Sequence, residues 1–141
     1  MKVDVPLREF DDAISVLSLA RHQQSDGLLR MGEFLADQLH TGHKLLICGN
    51  GGSAGDSQHM AAELVSSFRM GLRRPALPAI ALTTDSSILT AYSNDFGYEG
   101  VFARQVQALG RDGDCLLAIS TSGKSKSVLA AVEAARSQGM G

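Results

Sequence analysis

The sequence predicts an α/β protein, a parallel sheet with flanking helices preceded by two N-terminal helices. Short apolar runs at residues 44–48, 78–82 and 114–119 have strand length, and the last is unbroken in the manner of strands buried on both faces of a parallel sheet. Two of the runs open into small polar loops, Gly49-Asn50-Gly51-Gly52-Ser53 and Ser120-Thr121-Ser122-Gly123-Lys124-Ser125, and each loop leads into a helical pattern. This repetition of strand, polar loop and helix puts both loops at the carboxyl ends of parallel strands, the edge where open α/β sheets hold ligands.

Taken in order, residues 7–23 read as a helix, with Asp11 and Asp12 near its start and Ile14, Leu17 and Val16 or Ala20 on an apolar face. A second helix is expected over 26–39, where Leu28, Met31, Leu35 and Leu39 recur at three and four. Thr41-Gly42-His43 then turns the chain into the first strand. The helix after the first loop carries Asp56, His59 and Glu63, with Met60, Leu64 and Phe68 on a neighbouring apolar stripe. Residues 69–78, holding Gly71, Pro75 and Pro78, form a loop. Thr83-Thr84-Asp85-Ser86 caps a short helix to about Ala91, with Asp85 or Thr84 giving the capping oxygen. A polar loop with Asn94 and Asp95 is expected over 93–100, then a helix over 101–109 stopped by Gly110 and a tight turn at Arg111-Asp112-Gly113. The last helix runs to about Gln138, with Val128, Leu129, Val132 and Ala135 inward.

At 141 residues the chain is expected to be one domain, with the N-terminal helices in 1–40 and the α/β core in 44–141. A net charge of −2 gives no electrostatic case for nucleic acid or for an acidic membrane surface. Cys48 and Cys115 lie inside strand runs, which favours buried free thiols over a disulfide and fits a reducing cytoplasm. Residues 1–6 lack the apolar core of a signal peptide, and no run is long enough to span a membrane.

The first loop is a natural seat for a phosphate, because free backbone N–H groups and the positive end of a helix dipole converge there. Its glycines permit positive φ, and Ser53 reads as the N-cap with Asp56 in the first turn. Glycine, asparagine and serine also fill many such turns for geometry alone. Asp56, His59 and Glu63, at i, i+3 and i+7, share one stripe of the helix. A histidine and a carboxylate one turn apart serve as an acid/base pair or as two metal ligands, and the same spacing is common on solvent-facing helices. In the second loop, the hydroxyls of Ser120, Thr121, Ser122 and Ser125 with helix-start N–H groups can surround three phosphate oxygens without a fixed positive charge. Gly123-Lys124-Ser125 copies the end of a P-loop, but that motif needs a glycine five residues earlier, where Ala118 stands. That mismatch argues against a nucleotide triphosphatase. Arg69, Arg73 and Arg74 make a basic loop, either solvated or facing a phosphate.

Gly49-Asn50-Gly51-Gly52-Ser53-Ala54 followed by Asp56-Ser57-Gln58-His59-Met60-Ala61-Ala62-Glu63 resembles the signature of the phosphoheptose isomerases, members of the sugar isomerase (SIS) domain family. Asn94-Asp95-Phe96-Gly97-Tyr98 and Ser120-Thr121-Ser122-Gly123-Lys124-Ser125 match two further motifs of that family in the same order. The resemblance implies a SIS-type, flavodoxin-like three-layer fold. It also implies an aldose–ketose isomerase in bacterial heptose supply for lipopolysaccharide or capsule, converting sedoheptulose 7-phosphate to D-glycero-D-manno-heptose 7-phosphate through an enediol. On the family's pattern Glu63 would be the catalytic base. Ser120, Thr121, Ser122 and Ser125 would grip the phosphate, while Asn50, Gly51, Gly52, Ser53, Asn94 and Asp95 would hold sugar hydroxyls or neighbouring loops. One zinc per subunit would take His59 and Glu63 as ligands, polarising the carbonyl and stabilising the enediolate. A homotetramer with sites between subunits is implied as well.

Ser67 stands where many relatives carry an arginine. The family's pattern continues into a fourth strand and a last helix bearing a glutamine and a histidine, so the sequence is expected to be the retained part of a longer chain, lacking the C-terminal part of the fold. The alternative from a different class is a non-catalytic SIS-domain regulator of the replication-initiation type, binding a phosphosugar or a protein. That relative lacks the glutamate that Glu63 supplies here.

Overall fold

In the computed structural model, which describes residues 5–71 and 73–141, the chain runs α1 (Val5–His40), β1 (Leu45–Gly49), α2 (Gly52–Val65), β2 (Ala79–Ala81), α3 (Ser86–Phe96), a 3-10 turn (Tyr98–Gly100), α4 (Val101–Leu109), β3 (Cys115–Ile119) and α5 (Lys126–Ser137). The three strands are parallel in the order β2-β1-β3. The central strand β1 pairs with β2 from Leu45↔Ala79 to Ile47↔Ala81, and with β3 from Leu45↔Cys115 to Gly49↔Ile119. Its five residues are all buried, as an unbroken apolar run in a central parallel strand requires. The outer strand β3 is less covered: Cys115 is buried and Leu116 to Ile119 are half-buried. On its free edge, Gly141 N–H donates to Asp114 O and Leu116 N–H to Gly141 O, both at 2.9 Å, in the pattern of parallel pairing.

Alternation along β1 separates the two faces. Leu46 and Cys48 join Phe102 and Val106 of α4 and Val128, Ala131 and Ala135 of α5 in the main core. On the other face α2 packs against β1 and β2 through Ser53, Ser57 and Ala61, spaced one turn apart. These small side chains let the helix lie close to the sheet, and Ser57 Oγ is satisfied by donating to Ser53 O at 2.7 Å. Of Met60, Leu64 and Phe68, expected as the apolar stripe, only Leu64 is half-buried. Met60 and Phe68 are exposed, and Phe68 lies beyond the end of α2. In α5, Leu129 likewise points outward.

The chain divides into two compact units, one ending at Ala36 and the other Asp37–Gly141. Instead of the two helices expected over 7–23 and 26–39, α1 is a single helix of 36 residues. No proline separates the two segments, and Ser25 bonds back to the Arg21 carbonyl rather than capping a new start. Ile14, Leu17, Leu28 and Phe34 of α1 are exposed. Among the described residues no helix is long and apolar enough to cross a membrane.

Asp85 caps α3 as expected, accepting from Ile88 N–H at 2.9 Å, but the helix runs on to Phe96 and takes in Asn94 and Asp95. Gly110 ends α4. Leu72, within the loop expected over 69–78, lies outside the described residues. Cys48 and Cys115 are free and buried, and burial pushes the Cys48 thiol up to about 12.

At the amino end of the sheet, buried Asp114 ties β3 to β1. Its carboxylate accepts from the Lys44 and Arg111 N–H groups, each at 2.9 Å, and from Lys44 Nζ. Burial opposes the charge, but these hydrogen bonds outweigh it and hold the carboxyl below its ordinary value. Because the folded value is depressed, the stabilisation is complete above the unfolded value and fades as the pH falls through the folded one. Asp114→Asn is expected to cost about 2–3 kcal/mol at neutral pH in urea unfolding. The gap to the parent should be full above about pH 4 and close below it; a gap independent of pH would show that the charge contributes nothing.

Candidate functional site

The site begins where β1 ends. A Cβ on Gly49 would stand 2.7 Å from Ser53 Cβ and 2.8 Å from Ser53 O, so the absence of a side chain lets α2 settle on the strand end. Gly51, at φ 57°, is the N-cap of α2, and no side chain caps the helix. Ser53, expected as the cap, instead lies buried inside the first turn. Its N–H donates to Asn50 O at 3.0 Å and that of Ala54 to Gly51 O at 3.1 Å, so these amides are used within the turn rather than left free.

The register Gly49↔Ile119 sets the second loop beside the first. Between them lies a cavity of about 160 Å³ lined by Asn50, Ser53, Ile119, Ser120, Thr121, Ser122 and Ser125. Within this loop, ahead of the helix start at Lys126, Gly123 N–H donates to Ser120 Oγ at 3.1 Å and Lys124 N–H to Ser122 Oγ at 3.2 Å. Each of these serines accepts a bond from its own loop, and their Oγ atoms lie 3.5 Å apart, so if one donates to the other its partner's hydroxyl hydrogen is left for a guest. The cavity is thus a nest of hydroxyl donors, with no cationic side chain in its lining, suited to an oxyanion. Lys124 is exposed.

Across the cavity wall, Asn50 Nδ2 donates to Ser125 Oγ at 2.9 Å and Ser127 Oγ at 3.0 Å, while Tyr98 O–H donates to Asn50 Oδ1 at 2.7 Å. Neither Tyr98 nor Ser127 was singled out as a site residue from sequence, although Tyr98 closes the motif that begins at Asn94. What sequence does not disclose is that the 3-10 turn reaches back to Asn50.

A second cavity, of about 300 Å³, is lined by Asp56, His59, Met60, Glu63 and Phe68. His59 Nε2 stands 3.6 Å from Glu63 Oε1, with His59 exposed and Glu63 half-buried. Glu63 Oε2 is shut off from solvent and has no hydrogen-bond partner among the described residues. A shielded carboxylate oxygen without a partner is costly, and a cation or a substrate hydrogen would relieve it. Arg74 serves the backbone here, its Nη2 donating to Glu63 O at 2.6 Å near the negative end of α2.

Six of the expected residues, Asn50, Ser53, Ser120, Thr121, Ser122 and Ser125, are therefore brought to one cavity. Gly51 and Gly52 form the adjoining start of α2. His59 and Glu63 share the second cavity, further along the same helix. Asn94 and Asp95, in the last turn of α3, line neither; they are exposed, and Asn94 Nδ2 donates to Asp95 Oδ1 at 2.9 Å.

Residues 10–141 match the family model described as SIS domain. The chain is 56% identical over 132 residues to the phosphoheptose isomerase of Roseiflexus sp. (strain RS-1), covering 94% of this chain and 66% of that protein. To the phosphoheptose isomerase of Pelodictyon phaeoclathratiforme it is 55% identical over 118 residues, covering 84% and 56%. Among solved structures, it resembles a phosphoheptose isomerase of Neisseria gonorrhoeae with a TM-score of 0.90 and 42% identity, covering 97% of this chain and 70% of that one. A phosphoheptose isomerase of Francisella tularensis gives a TM-score of 0.93 at 37% identity, covering 99% and 72%. The chain thus spans from about half to about two thirds of the length of the curated relatives it matches.

The close approach at Gly49 is open to direct test. Gly49→Ala should push α2 off the strand end, costing about 2 kcal/mol of stability and weakening inorganic phosphate binding together. Thermal unfolding and phosphate titration both unchanged would refute the packing argument.

Proposed function

The chain belongs to the SIS domain family, and on that premise we propose that it works as a phosphoheptose isomerase, interconverting sedoheptulose 7-phosphate and D-glycero-D-manno-heptose 7-phosphate. One observation carries the reading: α2 starts in a hydroxyl-lined cavity and, further on, holds Glu63 with a shielded, unpartnered carboxylate oxygen. Ser53 and Glu63 are ten residues apart on this helix, about 15 Å along its axis.

In this reading the hydroxyls of Ser120, Thr121, Ser122 and Ser125 hold the phosphate, and Asn50, Gly51, Gly52 and Ser53 shape the adjoining wall. Asn94 and Asp95 hold sugar hydroxyls or neighbouring loops. Glu63 takes the proton from the terminal hydroxymethyl carbon beside the ketone, and the C–H electron pair forms the enediol double bond. The carboxylic acid then returns the proton to the former carbonyl carbon. A proton passes from the terminal oxygen to its neighbour, so the ketose becomes the aldose with no atom gained or lost.

His59 and Glu63 fit zinc as two of its ligands, since a ring nitrogen and a carboxylate oxygen belong to its donor set and the orphaned Oε2 is an atom a cation would satisfy. Among the described residues no group of three or more such side chains stands together. Zinc bound there would supply a Lewis acid to the substrate's oxygens. The exposed Ile14, Leu17 and Leu28 of α1 support packing against further copies of the chain, as a homotetramer. The free, buried thiols suit the cytoplasm, where heptose for cell-surface polysaccharide is made.

The test is proton NMR of sedoheptulose 7-phosphate with the protein in D2O. Aldose should appear, with deuterium entering beside the carbonyl. Glu63→Gln should lower turnover by about 10²–10⁴-fold while sugar-phosphate affinity stays within about threefold. Unchanged turnover would remove Glu63 from the chemistry. A folded parent that binds the sugar phosphate but gives neither product nor exchange would point to the non-catalytic regulator, against which the presence of Glu63 now argues.

A further inference from the structure

We propose that Tyr98 is a positioning residue for the phosphate cavity, acting through Asn50 to make Ser125 a hydrogen donor toward the bound anion. The inference rests on reading that cavity as a phosphate seat. An asparagine amide has an accepting end and a donating end, and what surrounds it decides which way it faces. Three hydroxyls meet the Asn50 amide: Tyr98 O–H donates to Oδ1 at 2.7 Å, and Nδ2 donates to Ser125 Oγ at 2.9 Å and Ser127 Oγ at 3.0 Å. In this orientation both Nδ2 hydrogens have acceptors. Turned over, the amide would present one oxygen to both serines and leave an Nδ2 hydrogen without a partner.

The consequence reaches the cavity through Ser125. Buried Ser127 has Ser125 Oγ at 3.3 Å, and once Asn50 donates to it, its own hydrogen is available to Ser125. Ser125 Oγ then accepts from two directions, and its remaining hydrogen points to the space it lines beside Ser120 and Thr121. Without the tyrosine hydroxyl, Asn50 Oδ1 is free to turn and accept from Ser125, which removes that donor from the anion. Tyr98 itself is held edge-on against buried Phe102, with ring centroids 6.1 Å apart at 74°, and next to it Glu99 pairs with Lys126 Nζ at 2.7 Å. The 3-10 turn thus has a packing contact on one side of that hydroxyl and a surface ion pair on the other.

Tyr98→Phe keeps the ring and its packing and deletes the one donor. Inorganic phosphate titration followed by 31P NMR, and KM with kcat for sedoheptulose 7-phosphate, read the result. Phosphate affinity should fall about tenfold and KM rise about tenfold, the worth of one hydrogen bond to a charged group, with kcat within about twofold. In a Ser125→Ala background the same substitution should cost less than about twofold, because the hydroxyl it orients is already gone. A full tenfold loss in that background, or a fall in kcat at unchanged KM, would overturn the proposal. If Ser125→Ala by itself leaves phosphate binding of the parent untouched, the phosphate reading of the cavity fails and the proposal with it. A clear Ser125→Ala effect with a silent Tyr98→Phe sinks the proposal alone.

Discussion

The parallel pairing of β1 with β3 is the constraint on which the candidate site depends. Five consecutive partners, from Leu45↔Cys115 to Gly49↔Ile119, fix where the two strands end relative to each other. Parallel strands deliver their following loops to the same edge, so Asn50 and Ser120 leave the sheet side by side. Every hydroxyl in the first cavity inherits its position from that register. A slip of one residue would turn the buried side chains of β1 to the opposite faces of the sheet, which is why the pairing is strongly specified.

The two ends of the β1–β3 pair are clamped by different chemistry. At the amino end a buried carboxylate, Asp114, gathers two backbone amides and the Lys44 ammonium. At the carboxyl end the clamp is neutral: Asn50 holds Ser125 and Ser127 and is held by Tyr98. Beside the hydroxyl-lined cavity a carboxylate would repel an anion. A neutral amide joins the loops without taking a side in the electrostatics of the cavity.

The sheet, its parallel sense and the two loops were legible because strand-length apolar runs and glycine- or serine-rich turns are local signals. So were the hydroxyls of Ser120, Thr121, Ser122 and Ser125, which lie in one contiguous loop. What sequence hid was tertiary. The core stripe of α2 is Ser53, Ser57 and Ala61, chosen by how closely the helix lies on the sheet, whereas apolarity pointed to Met60, Leu64 and Phe68. The cap of α2 fell to Gly51 rather than Ser53 because positive φ closed the turn without a side chain. The two expected helices run together as α1, and Ser25 bonds back within the helix where a new start was expected. Tyr98 and Asn50 are 48 residues apart, and nothing local in either marks the contact.

The helix α2 does more than carry residues to two cavities. Its small-residue stripe seats it against β1 and β2, and Ser57 satisfies its hydroxyl on the helix's own backbone, so the helix has no side-chain layer in which to shift. Ser53 at one end and Glu63 towards the other are thus held on one rigid element, about 15 Å apart along its axis. The two cavities therefore keep a fixed spacing along this one helix. That spacing is set by the rise of one helix and the depth at which it is seated, and the serines and the glutamate need no contact with each other to keep it.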